Sequence, residues 1–153
     1  KEMIKLYIKE DASIIGSMTV KKSDVHKYGI IKPEKNKDSL IHISKLIEKP
    51  KVNQAPSNIA IVGRYILKNS IFKYLAKIKS GKGGEIQLTD AISLSNLHEK
   101  TIAYKLRGDR FDCGNKLGLF KAIIAAAIID KDINKDARSI INSTYKTYKG
   151  KKL

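Results

Sequence analysis

The chain has 153 residues, enough for one domain with a modest hydrophobic core. Hydrophobic residues make up 42% of it, which argues against disorder, and no run of about 18 apolar residues predicts a membrane span. The net charge of +16 would attract polyanions, but only four of the 31 basic residues are arginine, and no zinc-finger or helix-turn-helix pattern accompanies them. We therefore expect a single domain over residues 1–153 that neither enters a membrane nor binds specific nucleic acid. The one cysteine, Cys113, is typical of a reducing compartment and predicts a cytoplasmic protein.

Apolar spacing predicts alternating helices and strands in the first part of the chain. Lys1–Lys9 has apolar residues at helical spacing, and Ser13–Val20 is an apolar run typical of a buried strand. The elements expected next are a short polar helix or turn at 23–27 and two antiparallel strands at about 28–32 and 40–47, joined by a charged turn at 33–39.

Two charged residues then stand beside a proline. Glu48 and Lys49 precede Pro50, and a residue before proline avoids the right-handed helical region. We expect Lys49 to be extended at a strand end, with Glu48 and Lys49 on opposite faces unless the strand bends. The chain re-enters a strand at Asn58–Leu67, so a charged crossing between two strands predicts the rim of a ligand site.

The remaining predicted elements are mostly helical. They are helices at about 70–78, 87–97, 116–129 and 133–148, and a strand at 101–106 that leads towards Asp112. Gly108-Asp109 is expected to bend the chain after this strand, and residues 110–112 are expected to be extended. Residues from about 133 to 153 would form a C-terminal helix and a basic tail. Gly81, Gly83 and Gly84 could cradle a phosphate, but their loop lacks the Gly-Lys-Ser/Thr ending, and a connector between helices is the alternative.

Four motifs occur in one order along the chain. They are E-K-P at 48–50, S-N-I-A-I-V-G-R-Y at 57–65, G-K-G-G-E-I-Q-L-T-D-A-I at 81–92 and R-F-D-C-G-N-K-L-G at 110–118. Together they resemble the C-terminal half of the bacterial UTP–glucose-1-phosphate uridylyltransferases, of the sugar nucleotidyltransferase family, over about residues 1–132. The resemblance implies an α/β fold, part of the Rossmann-like mixed sheet with flanking helices of nucleotide-diphospho-sugar transferases. The family's N-terminal Gly-rich nucleotide loop and its first metal-binding aspartate are absent from this sequence.

The resemblance also implies roles for individual residues. Glu48 would accept hydrogen bonds from glucose hydroxyls, and Lys49 would be a catalytic residue that binds the phosphate of glucose 1-phosphate. Tyr28-Gly29 and Val62-Gly63 would bind the hexose at the backbone. Asp112 would be the other catalytic residue and would hold Mg²⁺ together with an aspartate from the missing half.

These residues have structural alternatives. Glu48 and Lys49 could be a surface ion pair, and Asp112 could cap the helix that begins near Asn115. The glycines could be backbone necessities. Cys113 is expected to be a buried packing thiol, the histidines have no metal-ligand spacing, and the segment at 84–90 is expected to be structural.

The implied reaction joins UTP and glucose 1-phosphate to give UDP-glucose and pyrophosphate, with Mg²⁺ as cofactor. The apolar helix Lys116–Ile129 predicts a homo-oligomer. We expect the chain to be inactive alone, and we expect the strand at 13–20 to present an exposed edge where strands of the missing half would pair. The alternatives are a related sugar-1-phosphate nucleotidyltransferase with another donor or hexose, and a non-catalytic basic binding module.

Overall fold

The computed structural model describes residues 1–34, 40–80 and 84–151. The chain divides into two compact units, a first unit of Lys1–Arg107 and a second unit of Gly108–Leu153. Most of the predicted charged turn and two of the three loop glycines lie outside the described residues. Within those residues, no helix is both long enough and apolar enough to cross a membrane.

The first unit alternates helices and strands, as its apolar spacing predicts. Its helices are α1 (Glu2–Glu10), α2 (Ile71–Leu75) and α3 (Leu88–Ser95). Its strands are β1 (Ser13–Thr19), β2 (Gly29–Pro33), β3 (Ile41–Glu48), β4 (Ile59–Ile66) and β5 (Thr101–Lys105). Short 3₁₀ turns occupy Lys22–Lys27 and Val52–Gln54. The predicted antiparallel pairing of β2 with β3 is confirmed.

The five strands pair in a closed ring in the order β1-β4-β2-β3-β5, with β5 returning to β1. Strand β1 pairs antiparallel with β4 and parallel with β5, where Ser13 stands opposite Thr101. The expectation of an exposed edge on this strand is therefore wrong. The reason is that β5, contributed by this same chain, occupies the edge that was assigned to strands outside it.

The main core lies between the strands and α2 and α3, and α3 is held to β3 by polar side chains as well as apolar ones. Ile92 of α3 is fully buried in this core. The Ser93 hydroxyl accepts a hydrogen bond from the Leu46 amide at 3.1 Å. The Asn96 side-chain amide donates to the Ile43 carbonyl at 2.6 Å. These contacts fix the face of β3 that α3 covers.

The Ser-Asn pair that opens the second motif is structural. The Ser57 hydroxyl donates to the Ile31 carbonyl at 2.6 Å and accepts from the Ile59 amide at 3.0 Å. The Asn58 side chain donates to the Val20 carbonyl at 3.1 Å. Both residues tie the start of β4 to its neighbours, so they set the register of the strand that carries Val62-Gly63.

The second unit contains α4 (Lys116–Ile129) and α5 (Asn134–Tyr148), close to the predicted bounds. Strand β5 ends at Lys105, one residue before the predicted Leu106, and it does not itself reach Asp112. Gly108 has φ of 92° in the left-handed region, in agreement with the bend predicted at Gly108-Asp109. Among the described residues of this unit only Ala137 is buried, and α4 is apolar on all sides.

Replacing Asn96 with alanine should destabilise the first unit. Ile43 is 2% exposed, so its carbonyl would lose its side-chain partner in a place with little access to water. We expect Asn96→Ala to lower the free energy of unfolding by about 1–3 kcal/mol. Urea denaturation checks this, with the exposed Asn53→Ala as control. Equal midpoints for the two variants would contradict the role of this hydrogen bond.

Candidate functional site

The site begins where Gly29 and Glu48 stand opposite each other at the end of the β2–β3 ladder. A Cβ atom added to Gly29 would stand 3.0 Å from Oε2 of Glu48, 3.1 Å from Cγ2 of Thr89 and 3.2 Å from Cδ1 of Ile61. Gly29 is therefore needed for space, because the carboxylate of Glu48 lies over its Cα. Gly29 and Glu48, both predicted to bind the sugar, are therefore direct neighbours in the structure.

Glu48 lies on the core side of β3. Ile31 and Leu46 are paired two residues along the ladder from Gly29 and Glu48, and both belong to the main core. Because alternate residues of a strand share a face, Glu48 is on the same side as Leu46. Its side chain is half-buried. A carboxylate is thus placed at the end of an apolar layer.

Lys49 is exposed and follows the last residue of β3. Its amide donates to the Tyr28 carbonyl at 3.0 Å, which adds one more bond after the ladder ends. Its φ is 42°, in the left-handed region, so the prediction of an extended Lys49 is wrong. The rule for residues before proline disfavours the right-handed helical region, and here the chain obeys it by turning to positive φ. The strand bends at Lys49. The expectation that Glu48 and Lys49 lie on opposite faces was made for an unbent strand, so it does not apply here.

Val62 and Gly63 lie in a bulge of β4. Ser17 pairs with Ile61 and Ile15 pairs with Tyr65, so three residues of β4 stand against the single Gly16 of β1. Gly63 has φ of 73°, which favours glycine. Bulges are frequent beside active sites because they redirect the backbone and end regular pairing. The predicted Val62-Gly63 site is therefore an irregular segment between two residues of the core face.

Two neighbours of Glu48 were not singled out from the sequence. Thr89 lies in the segment at 84–90, which was expected to be structural. Its methyl group approaches the same point above Gly29 as the Glu48 carboxylate. Its hydroxyl is buried and has no hydrogen-bond partner among the described residues. Tyr65 is close enough for the negative charge of Glu48 to raise the pKa of its phenol, although burial is the larger cause of this shift. The sequence shows only that each hydroxyl stands among apolar residues, which does not reveal that either residue lies near Glu48.

Asp112 belongs to the second unit and is exposed. One of its carboxylate oxygens accepts a hydrogen bond from the Gly114 amide at 3.2 Å. The cap of α4 is Asn115, whose side chain accepts from the Gly118 amide at 2.8 Å, so Asp112 does not fill the capping role. Cys113 is exposed, and the expectation that it packs in a core is wrong because this turn lies outside any apolar cluster.

Within the described ranges, no three His, Cys, Asp or Glu residues gather in a way that could hold a metal ion. Mg²⁺ is usually bound by one or two carboxylates together with substrate phosphates and waters. The exposed carboxylate of Asp112 fits one such position. This chain would therefore supply one metal ligand, and the set would be incomplete without others.

Comparison with known proteins shows the family to which the chain belongs. Residues 1–127 match the family model described as nucleotidyl transferase, and the chain belongs to that family. The mixed α/β fold predicted from the resemblance is confirmed by this match and by the solved structures that resemble it.

Several similar proteins are UTP–glucose-1-phosphate uridylyltransferases or UDP-glucose pyrophosphorylases. A UTP–glucose-1-phosphate uridylyltransferase of Staphylococcus saprophyticus is 42% identical over 146 residues, 95% of this chain and 51% of the relative. A solved UDP-glucose pyrophosphorylase complexed with UDP-glucose is 41% identical with a TM-score of 0.76, over 82% of this chain and 47% of that one. The pyrophosphorylase of Acinetobacter baumannii has a TM-score of 0.80 at 32% identity and covers 93% and 49%. The resemblance is confirmed, and the chain spans about half the length of these relatives.

Replacing Glu48 should change the titration of Tyr65. The negative charge of Glu48 opposes formation of a phenolate, so we expect Glu48→Gln to lower the pKa of Tyr65, which stays above its usual value because of burial. Ultraviolet absorbance during alkaline titration measures this, with Tyr65→Phe to identify the signal among the seven tyrosines.

Glu99→Gln is the matched control. After burial, Glu99 raises the pKa of Tyr74, and its carboxylate accepts a hydrogen bond from that phenol at 3.3 Å. We expect this variant to lower the pKa of Tyr74 and leave Tyr65 unchanged. An unchanged Tyr65 titration in Glu48→Gln would show that the two groups do not interact.

Proposed function

We propose that this chain forms the sugar-phosphate side of a UTP–glucose-1-phosphate uridylyltransferase, which makes UDP-glucose and pyrophosphate. The observation that carries the proposal is the Glu48 carboxylate held over Gly29, beside the bulge at Val62-Gly63. A half-buried carboxylate that accepts hydrogen bonds suits a polyhydroxylated ligand. Support comes from the relatives, which are named for this reaction and include a structure complexed with UDP-glucose.

The two substrates are both anions, so the site must offset their repulsion. Lys49 is proposed to bind the phosphate of glucose 1-phosphate. Its ammonium group is on an exposed, flexible stem, and its backbone is fixed by the bond to Tyr28. Glu48 is proposed to accept hydrogen bonds from the hexose hydroxyls. The glucose-1-phosphate oxygen would then attack the α-phosphorus of UTP in line, with position and charge as the protein's contributions.

Asp112 is proposed to bind Mg²⁺ with residues outside this chain. The cation, when bound, would neutralise the reacting phosphates. Asp112 would hold its place through the hydrogen bond from the Gly114 amide, which leaves its second oxygen available. The side chain of Asn115 donates to the Asp112 carbonyl at 3.1 Å and steadies the same turn.

The isolated chain should not catalyse the reaction. The chain spans about half of its relatives, and its sequence contains no Gly-rich triphosphate loop. Catalytic groups that act as a unit are lost together. We expect no pyrophosphate exchange with UDP-glucose from the 153-residue chain. We expect activity to return when the chain replaces the matching half of the S. saprophyticus enzyme. Exchange by the chain alone would refute this prediction, and an inactive but folded chimera would count against the proposed function.

In that chimera, Lys49→Ala should reduce use of glucose 1-phosphate while sparing UTP. Removing the cation that meets the acceptor phosphate should raise KM for glucose 1-phosphate by about tenfold or more, since a hydrogen bond to a charged group contributes about 1.5–3 kcal/mol. Lys51→Ala, an exposed lysine two residues further on, is the control. Steady-state kinetics with each substrate varied in turn measure the effect. Equal KM values in both variants would remove Lys49 from the site.

Asp112→Asn should lower turnover and raise the Mg²⁺ concentration needed for half-maximal activity. Asparagine can still accept the hydrogen bond from the Gly114 amide, so the turn should persist while the ligand charge is lost. Asp109→Asn, another exposed carboxylate of the same segment, is the control. Magnesium titrations of the chimera variants check this, and wild-type Mg²⁺ dependence in Asp112→Asn would exclude the proposed role.

A related transferase with another donor or hexose is the remaining candidate within this family. Parallel assays of the chimera would not decide the donor, because the nucleotide half would come from the relative. They would show which sugar 1-phosphate the enzyme uses, because this chain carries the proposed sugar contacts. A preference for a sugar 1-phosphate other than glucose 1-phosphate would replace the proposed acceptor.

We also propose that the protein acts in the cytoplasm as a homo-oligomer. The support is the exposed apolar surface of α4, including Leu117, Phe120 and Ile123, because a second copy would remove it from water. Sedimentation velocity of the chain measures its assembly, and a monomer at high concentration would contradict a contact through α4.

A further inference from the structure

The first turn of α4 contains a glycine that lies against the backbone of Asp112. Gly118 is the third residue of α4. A Cβ atom added to it would overlap the carbonyl oxygen of Asp112 and would stand 2.7 Å from the carbonyl carbon, which is closer than side chains pack. These neighbouring atoms are backbone, so they could not rotate away as the end of a side chain could. Gly118 is therefore needed for space.

Helix formation alone would favour another residue at this position. Gly118 does not have a positive φ, so its conformation is one that alanine adopts more readily. The glycine is thus unfavourable for α4 taken by itself. What it permits is the close approach of the Asp112 peptide to the helix, which no residue with a Cβ atom would allow.

Asn115 connects the same two residues by hydrogen bonds. Its side-chain oxygen accepts from the Gly118 amide at 2.8 Å, and its side-chain nitrogen donates to the Asp112 carbonyl at 3.1 Å. The backbone amide of Asn115 also donates to that carbonyl at 3.4 Å. Because one planar side-chain amide makes both of the shorter bonds, it holds the Asp112 peptide at a fixed separation from the start of α4.

The Asp112 carboxylate depends on this backbone for its direction. One of its oxygens accepts from the Gly114 amide at 3.2 Å, and the side chain is otherwise exposed. A shift of the Asp112 peptide away from α4 would therefore move the carboxylate with it. The contact at Gly118 and the bonds of Asn115 act on the peptide, and the peptide sets where the carboxylate stands.

We propose that Gly118 is a positioning residue for the Asp112 carboxylate and that Asn115 assists it. This inference rests on the proposed function, in which Asp112 holds Mg²⁺. Magnesium demands nearly ideal octahedral geometry, so a ligand that is displaced by a fraction of an ångström binds it less well. Residues that orient a metal ligand commonly contribute about ten- to a hundredfold to metal affinity.

Gly118→Ala distinguishes positioning from helix stability. If Gly118 were only a residue of the helix, alanine would strengthen α4 and leave metal binding unchanged. We expect instead that the Mg²⁺ concentration for half-maximal activity of the chimera with the S. saprophyticus half rises about tenfold or more, while KM for glucose 1-phosphate stays the same. Electron paramagnetic resonance with Mn²⁺ as the probe measures metal binding apart from turnover, and we expect the same loss there.

Ala126→Gly is the matched control, because it weakens the same helix at an exposed position away from the turn. We expect it to bind Mn²⁺ as the wild type does. Asn115→Ser is a second variant, since serine is as good a helix cap but lacks the side-chain amide that bonds Asp112 and Gly118 together. We expect it to weaken Mn²⁺ binding while circular dichroism shows unchanged helix content. It decides the matter if Gly118→Ala fails to fold.

The outcomes separate this inference from the proposed function. If Asp112→Asn weakens Mn²⁺ binding while Gly118→Ala and Asn115→Ser do not, only the inference fails. If Asp112→Asn binds Mn²⁺ as the wild type does, the proposed metal role fails, and the inference fails with it. An equal loss in Ala126→Gly and Gly118→Ala would make helix stability the cause and would also overturn the inference.

Discussion

The placement of a carboxylate at the end of an apolar layer is the constraint on which the site depends. Glu48 is on the same face of β3 as the buried Leu46, and it can occupy this place because Gly29 has no side chain. Taking a carboxylate partly out of water is costly unless hydrogen bonds replace the lost solvent. A ligand rich in hydroxyl groups supplies them. The arrangement is therefore favourable only when water or such a ligand fills the end of the core.

The closed ring of strands keeps this carboxylate in place. Each of the five strands has two partners, so β2 and β3 cannot shift without disturbing β4 and β5. Helix α3 adds the bonds from Ser93 and Asn96 to β3. Sites whose supporting residues are themselves fixed hold their ligands more accurately. The bulge of β4 is an irregular part of the ring, and it lies beside the candidate site.

The strands and helices were largely predictable because their apolar residues follow simple periods, and the Glu-Lys-Pro motif indicated where the candidate site lies. The left-handed Lys49 was not predictable, because the rule for residues before proline excludes one region and leaves the choice of the others to the surroundings. The edge of β1 was misjudged because pairing with β5 joins residues about ninety positions apart, which no local pattern reports. Thr89 and Tyr65 were missed for the same reason, since their closeness to Glu48 exists only in the folded chain.

Glu48 and Lys49 differ in how freely their side chains can move, and this difference suits them to bind different parts of a ligand. Glu48 is the last residue of a strand and is surrounded by Thr89 and Ile61, so its oxygens have few positions available. Lys49 is exposed, and its ammonium group is a compact charge on a flexible stem. A phosphate needs charge more than exact direction, whereas the choice among sugar hydroxyls needs fixed acceptors and donors. Under the proposed function, selectivity for the hexose should therefore reside in the half-buried groups around Glu48, and Lys49 should contribute affinity that is common to all sugar 1-phosphates.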